Sequence, residues 1–484
     1  MASTPRIFDF YDQLSAFEYA TNATARWANR GLLLGLILFT LSLPHSIAAV
    51  YVSLSLCLLS WLLRDLSARK LHFARTPLDW PLLCFAALTI VSALASEAPA
   101  ISLPKTRALV VFGVLYVVLT NLHARAVPFF LGLLLVSSLA GVVFSLGEKL
   151  IGRGMIVTAI NTDSPLAATQ LQVGDVIWMI GRHRVSSLEE ANQILRQQSS
   201  GKRIEIEALH AGDPLPVALQ ITDELKARTN PLGVNVGGGS RRFRVSGFSR
   251  HFLTYVEQMQ LLGLLVFGFL LAAFPRRRVA ASLLLFALFS VTLVLTASRA
   301  VIVSYLIALV LTSLLVASRR VALITFIVAI GIGSIAASVL LSTRTSSAIS
   351  FGDDSSARRI AYMKAGLRLI PQHPLLGVGM DAHKQHWREW GFPGEYITHT
   401  HSTPIQLAME RGLPALGCYV WLMVAMGLWL WRRYKQSQNP LAFGALAALV
   451  GFSISSLVNY NFGDSEVVLL LLFIVALAVR YEER

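Results

Sequence analysis

The residues best equipped for chemistry lie in and around one polar stretch, 342–403, which stands between two long apolar runs. It closes on His399-Thr400-His401-Ser402 and carries Arg358 and Arg359. Arg299 breaks an apolar region upstream, and Arg241, Arg242, Arg244 and Arg250 crowd the approach to His251. An imidazole titrates close enough to neutrality to take a proton from a hydroxyl. A guanidinium offers a planar fork to phosphate oxygens. This pairing points to His401 as a proton acceptor, with Arg299, Arg359, Arg244 and Arg250 holding an anionic, lipid-borne substrate. His399, Arg358 and His251 are secondary candidates. Each residue also has a plainer reading: a lone histidine is more often structural, and arginines beside a span can meet lipid headgroups or snorkel.

Two other chemistries are poorly served. His383 and His386 stand three apart and, with the histidine pair, make only a loose metal pattern, and no HExxH motif exists. Gly377-Val378-Gly379 is too short for a nucleotide fingerprint, and no P-loop occurs. The expectation is therefore no metal, no nucleotide and no cofactor.

The elements that must position these residues are membrane helices. Hydrophobic residues make up 55% of the 484-residue chain and charged residues only 14%. With a mean hydropathy of +0.60, this composition excludes an ordinary soluble domain. The net charge of +15 gathers in short basic clusters beside apolar runs, so it reads as positive-inside topology rather than nucleic-acid binding. Cys57, Cys84 and Cys418 all fall inside apolar runs and form no disulfide framework. A span needs about 20 apolar residues, which gives an α-helical polytopic protein of about twelve transmembrane helices. Residues 1–30 are a cytoplasmic lead-in, 31–150 hold the first five spans, 252–341 the next four and 404–484 the last three with a cytoplasmic tail. Counting Lys and Arg in the connections puts the N-terminus in the cytoplasm and both long polar segments outside.

The first outer segment, 151–223, reads as a small α+β domain. Gly154–Ile160 reads as a strand, Arg203–Leu209 and Pro216–Ile221 alternate as strands, and a glycine turn at Gly174 feeds another. Ser187 and Glu190 have capping-box spacing for a helix running to Gln197. The runs SP-x-A from Ser164, L-x-x-GD-x-I from Leu171 and V-x-S-x-E-x-A from Val185 resemble a PDZ domain of the bacterial envelope type. Such domains bind peptide C-termini through a loop and strand preceding the first strand seen here, a position the fifth span occupies. Residues 224–251 read as a linker, and the insertion as separable from the chemistry.

Four stretches together resemble the O-antigen ligase family of bacterial envelope glycan transferases: RVSGFSRHFLTY at Arg244–Tyr255, TASRA around Arg299, RIAYMKAGLRLIPQHPLLGVG at Arg359–Gly379, and HSTPIQLAMERGLPALG at His401–Gly417. The resemblance implies transfer of a glycan from undecaprenyl diphosphate to an acceptor at the periplasmic face of the inner membrane, without metal or nucleotide. It makes 342–403 the catalytic loop. The implied partners are the lipid-linked donor, lipid A-core or another periplasmic acceptor, membrane lipids, and an envelope protein at the PDZ-like domain, with no nucleic acid. Polysaccharide polymerases and protein O-oligosaccharyltransferases share these motifs. A transporter of lipid-linked anions is the rival from another class. It would need more charge deep in the spans.

Overall fold

The computed structural model describes residues 13–17, 22–210, 213–249, 251–271, 276–316, 319–343, 354–393 and 399–481. The chain is mostly helical, with one small sheet inserted after the helix Val127–Ile151. Six described helices are long and apolar enough to cross a membrane: Ile47–Ala68, Pro99–Asn121, Ala124–Ile151, Phe252–Leu271, Ala322–Leu340 and Thr403–Ser437. Four shorter apolar helices join them, Asp79–Leu94, Val279–Leu295, Arg299–Leu315 and Pro440–Ser456. Phe252–Leu271 is the axis of the bundle, buried on nearly every side, whereas Ala322–Leu340 presents most of its surface outward. An all-round apolar helix is stable in either place, because only a core or lipid can accept such a surface.

The inserted domain is a sheet of six strands, β1 (Met155–Ile160), β2 (Val176–Ile180), β3 (His183–Arg184), β4 (Arg203–His210), β5 (Asp213–Gln220) and β6 (Val234–Val236), in the order β5-β4-β2-β1-β6 with β3 beside β2. Its own core includes Met155, Val157, Ile177, Ile206 and Leu195. Ser187 caps the helix Leu188–Arg196 by accepting from the Glu190 amide at 3.2 Å, and the Glu190 carboxylate accepts from the Ser186 amide at 3.0 Å. One expectation needs correction: 224–251 is no mere linker. It contributes β6, which pairs antiparallel with β1 as the edge strand, and Arg153 and Ser240 exchange backbone hydrogen bonds of 2.8 and 3.0 Å. The strand beside β1 on that edge thus comes from the C-terminal end of the domain.

The helix Thr403–Ser437 is broken at Gly412, whose φ of +83° is one that glycine alone adopts at little cost. Pro414 lacks an amide hydrogen, so the carbonyl of Glu410 loses its helical donor. The turn at Gly377–Gly379 replaces the missing bonds. The Val378 amide donates to Met409 O and the Gly379 amide to Glu410 O, both at 2.9 Å, and Ser92 Oγ adds a third donor at 2.9 Å. A side chain at Gly377 would overlap the Glu410 backbone, which explains a glycine there. On its far side the turn is tied by Ser96 Oγ to Val378 O (3.0 Å) and by Ser102 Oγ to Met380 O (2.9 Å).

Candidate functional site

Glu410 and Arg411 before the kink, Met380 and Asp381 after the turn, and His399 line a cleft of about 740 Å³. Its polar lining includes His251, His399, Lys105, Lys384 and Arg411, with carboxylates such as Glu257, Glu410 and Asp464. Its apolar lining includes Phe85, Leu109, Phe112, Leu253 and Val468. Such a space suits a ligand with a polar head and an apolar tail.

His401 has φ +56°, a left-handed conformation uncommon for a residue with a side chain. Its amide donates to His399 Nδ1 at 3.3 Å, so His399 keeps its own proton on Nε2 while that bond stands. The two rings meet edge to face with centroids 4.3 Å apart. Tyr362 stacks on His401 at 6.0 Å, and Tyr460 lies 5.7 Å from His399. His401 Nδ1 is buried with no hydrogen-bond partner among the described residues. Burial, then the neighbouring His399 and the positive charge of Arg359, push the His401 imidazole down to about 3. Burial and surrounding cations hold His399 down at about 4. Both rings are therefore neutral at physiological pH, and His401, with a nitrogen unpartnered among the described residues, is the one able to accept a proton.

The helix that follows His401 begins at Thr403. Ser402 takes the capping position without a side-chain cap bond. Thr403 does the anchoring: its amide and hydroxyl both donate to Asn459 O at 3.1 Å, and its hydroxyl lies 3.1 Å from Asn461 Oδ1. Asn459 donates to Glu257 Oε1 at 3.2 Å, and Ser455 also bonds that carboxylate. Gln406 then links the Thr400 amide (2.7 Å) to Glu410 Oε1 (2.8 Å). These buried bonds fix the histidine turn on the bundle, since each would be costly to leave unmade.

The candidate arginines separate into groups. Arg359 is partly buried on the helix Asp354–Leu369, and its charge reaches His251, His399 and His401. Arg358, one residue earlier, is exposed. Arg244 stands 4.5 Å over the Phe252 ring, on which His251 also stacks at 4.8 Å. Arg299 opens the helix Arg299–Val316 just after Ala297, another left-handed residue at φ +51°. The Val245 amide donates to Leu295 O at 3.4 Å, which brings the Arg244 and Arg299 segments side by side. Arg250 lies outside the described residues.

The structure also assembles groups that spacing did not reveal. Asp381, left-handed at φ +58°, bridges Lys105 (2.6 Å) and Lys384 (2.8 Å), and its amide donates to Glu410 Oε1 at 2.9 Å. The loose His383/His386 metal pattern dissolves: His383 is buried 3.6 Å from Glu410, while His386 pairs with Glu389 at 2.9 Å. Asp381, His383 and Glu410 do offer ligand atoms within 4.8 Å of one another. The two lysines already supply the cationic charge that Asp381 needs. Glu257 and Glu466 put carboxylates inside helices that read as apolar runs, and only the motif containing Glu410-Arg411 hinted at polar groups at this depth.

The inserted domain is clamped to the same region. Glu148, near the end of Val127–Ile151, takes Arg153 in a fork (Nε to Oε1 2.8 Å, Nη2 to Oε2 2.6 Å) and Arg184 Nη1 at 3.1 Å. Arg153 lies against Phe243 (4.2 Å) and Trp178 (4.8 Å) and donates to Arg244 O and Ser246 Oγ, both at 3.3 Å. Arg184 Nη2 donates to Gly247 O at 2.8 Å. Two arginines of the domain thus hold the backbone of the arginine-rich segment leading to His251.

Residues 283–420, which include Arg299, Arg359, the histidine pair and the kink, match the family model described as O-antigen ligase. Residues 130–221 match the PDZ domain model. The chain carries an O-antigen ligase domain and a PDZ domain. The ligase match supports glycan transfer of the ligase or polymerase type, and the apolar helices a multi-pass membrane scaffold. Its limits leave the Arg244–His251 segment outside, and the PDZ match stops before β6. No curated protein matches the chain.

Proposed function

We propose that this protein transfers a glycan from undecaprenyl diphosphate to an acceptor hydroxyl at the periplasmic face of the bacterial inner membrane, as in ligation of O-antigen to lipid A-core. The observation that carries the reading is the neutral His401 ring, with an unpartnered nitrogen and the charge of Arg359 acting on it, packed against His399 of a cleft lined by both polar and apolar side chains. The acceptor oxygen attacks the anomeric carbon as the bond from that carbon to the diphosphate oxygen breaks. The proton passes to His401, and the diphosphate leaves with the bonding electrons. Attack from the face opposite the leaving group inverts the anomeric centre. Arg299 and Arg359, helped by Arg244 and Arg250, neutralise the developing charge, with no metal and no nucleotide.

A base held at about 3 is weak. The diphosphate corrects this when it binds, since its negative charge offsets Arg359 and favours the imidazolium. The same reading counts about twelve crossings, the shorter apolar helices spanning where neighbours shield their ends. It keeps the N-terminus in the cytoplasm. The test is reconstitution of the full chain with a purified undecaprenyl diphosphate glycan and three acceptors: lipid A-core, a polysaccharide chain and a protein. Transfer to lipid A-core supports ligation. Transfer to either of the others makes the protein a polymerase or a protein glycosylating enzyme, and no transfer with intact donor binding favours a transporter.

A further inference from the structure

One cation in the cleft has neither a task in that mechanism nor a carboxylate partner among the described residues. Arg411 is 6% exposed and lines the cleft. Its Nε is buried without a hydrogen-bond partner, and among the described residues no carboxylate pairs with it. Its guanidinium lies over the Phe85 ring at 5.2 Å, and its charge is felt by Tyr460, the ring beside His399. Other buried or cleft cations are matched: Lys105 and Lys384 share Asp381, Arg153 and Arg184 share Glu148, and Arg64 holds Asp65 at 2.7 Å. A guanidinium cannot shed its charge by losing a proton, so an unpaired one in a buried place calls for an anion from outside the chain.

The position narrows what that anion is. Arg411 lies eight residues beyond Thr403, about 12 Å along the same helix. Its ring partner Phe85 lines the same cleft, as do His399 and the apolar side chains Leu109 and Phe112. An anion held by Arg411 therefore shares a cavity with His399 and with apolar surface. We propose that Arg411 is an oxyanion anchor that grips a phosphate of a lipid-borne substrate in this cleft. The lipid-borne character rests on the glycan-transfer reading; the need for an anion does not.

The test uses the full chain in lipid nanodiscs, with farnesyl diphosphate, farnesol and inorganic pyrophosphate as probes. In Arg411→Met, affinity for farnesyl diphosphate should fall about 10- to 100-fold, as expected for one charge-assisted contact, while farnesol binding holds. The thermal midpoint of ligand-free Arg411→Met should stay or rise, because an unpaired buried charge is gone and the Met thioether can rest on Phe85. Arg411→Lys should recover part of the diphosphate affinity. Equal loss for farnesol and farnesyl diphosphate, or no loss for either, overturns the proposal. If pyrophosphate alone binds through Arg411 as well as farnesyl diphosphate does, the site takes a free anion and the lipid-borne assignment falls. Failure of the wild type to bind any diphosphate would sink the transfer reading itself. Wild-type binding that ignores Arg411 sinks only this inference.

Discussion

Glu148→Gln tests whether the PDZ domain helps to build the site. The carboxylate is shared by Arg153, which is 5% exposed, and Arg184. The amide puts a donor where Arg153 needs an acceptor and removes the counter-charge of both. Breaking a buried ion pair costs about 3–5 kcal/mol when a charge is stranded. Arg153 is not fully stranded, because it keeps two aromatic faces and two acceptors on the 244–246 segment. Cation–π contacts of about 1–2 kcal/mol soften the loss, leaving roughly 2–3 kcal/mol. The domain's own core makes no use of Glu148, so the cost should appear as local opening rather than global unfolding.

Hydrogen exchange reads this directly. The amides of Arg153, Ser240 and Val245 are bonded across the junction, and their exchange should quicken about 30- to 150-fold, at 1.4 kcal/mol per tenfold. Amides inside β2 and β4 should be unaffected. Looser placement of Arg244 and His251 should raise KM for the lipid donor more than it lowers kcat. Excising 153–223 should then cost most of the activity, although the sequence presents the domain as separable. Unchanged exchange at the junction, or full activity after excision, would refute the clamp.

Other outcomes follow from the same geometry. His401→Ala should cut transfer about 10²–10⁴-fold with donor binding retained, while His399→Ala, which removes only a brace on the His401 turn, should cost less; single-turnover assays with a separate binding measurement distinguish them. With His401 held at about 3, the acid limb of kcat/KM should lie well below pH 5, whereas the limb of kcat, set in the diphosphate complex, should lie higher. Both histidines have folded values below the ordinary 6.5, so the unfolded chain takes up protons first and stability should fall as pH drops from about 6.5 towards 4, read from thermal midpoints. Gly412→Ala should destabilise by about 2–3 kcal/mol, since its side chain would meet the Leu375 carbonyl at a left-handed φ. Cysteines placed in the PDZ domain or at Gly391 should react with an impermeant thiol reagent from outside and one at Tyr434 should not; the reverse would invert the orientation.

Much of this architecture can be read from local pattern. Apolar run lengths give the helices, alternation gives β4 and β5, an apolar run and a glycine turn give β1 and β2, and capping-box spacing gives the helix Leu188–Arg196. Strand β6 is hidden because Val234-Asn235-Val236 is too short to alternate and sits among glycines, with pairing to β1 as its only support. The clamp is hidden for another reason. Glu148, Arg184 and Gly247 are far apart in the chain, and each taken alone is an ordinary surface residue. Arg411 is concealed by its context, since a charge inside a helix normally reads as a solvated face.

The left-handed residues show why the site resists reading even with its motifs in view. Five described non-glycine residues have positive φ. Arg69 and Gln438 are helix C-caps, where that conformation is routine. The other three are Ala297, two residues before Arg299; Asp381, between the two lysines; and His401 itself. No residue type demands that conformation at those positions, so nothing in the sequence announces it. Such residues cost about 1–3 kcal/mol each and persist only where surrounding contacts over-determine them. For Asp381 and His401 those contacts are the Gly377–Gly379 turn seated in the Gly412 kink, the Glu410 bonds and the Asn459–Thr403 junction. The kink is therefore the device that holds the histidine turn and the lysine-bridged Asp381 at one edge of the cleft. Straightening it would release the strain and disperse the site, leaving the apolar helices free to pack as before.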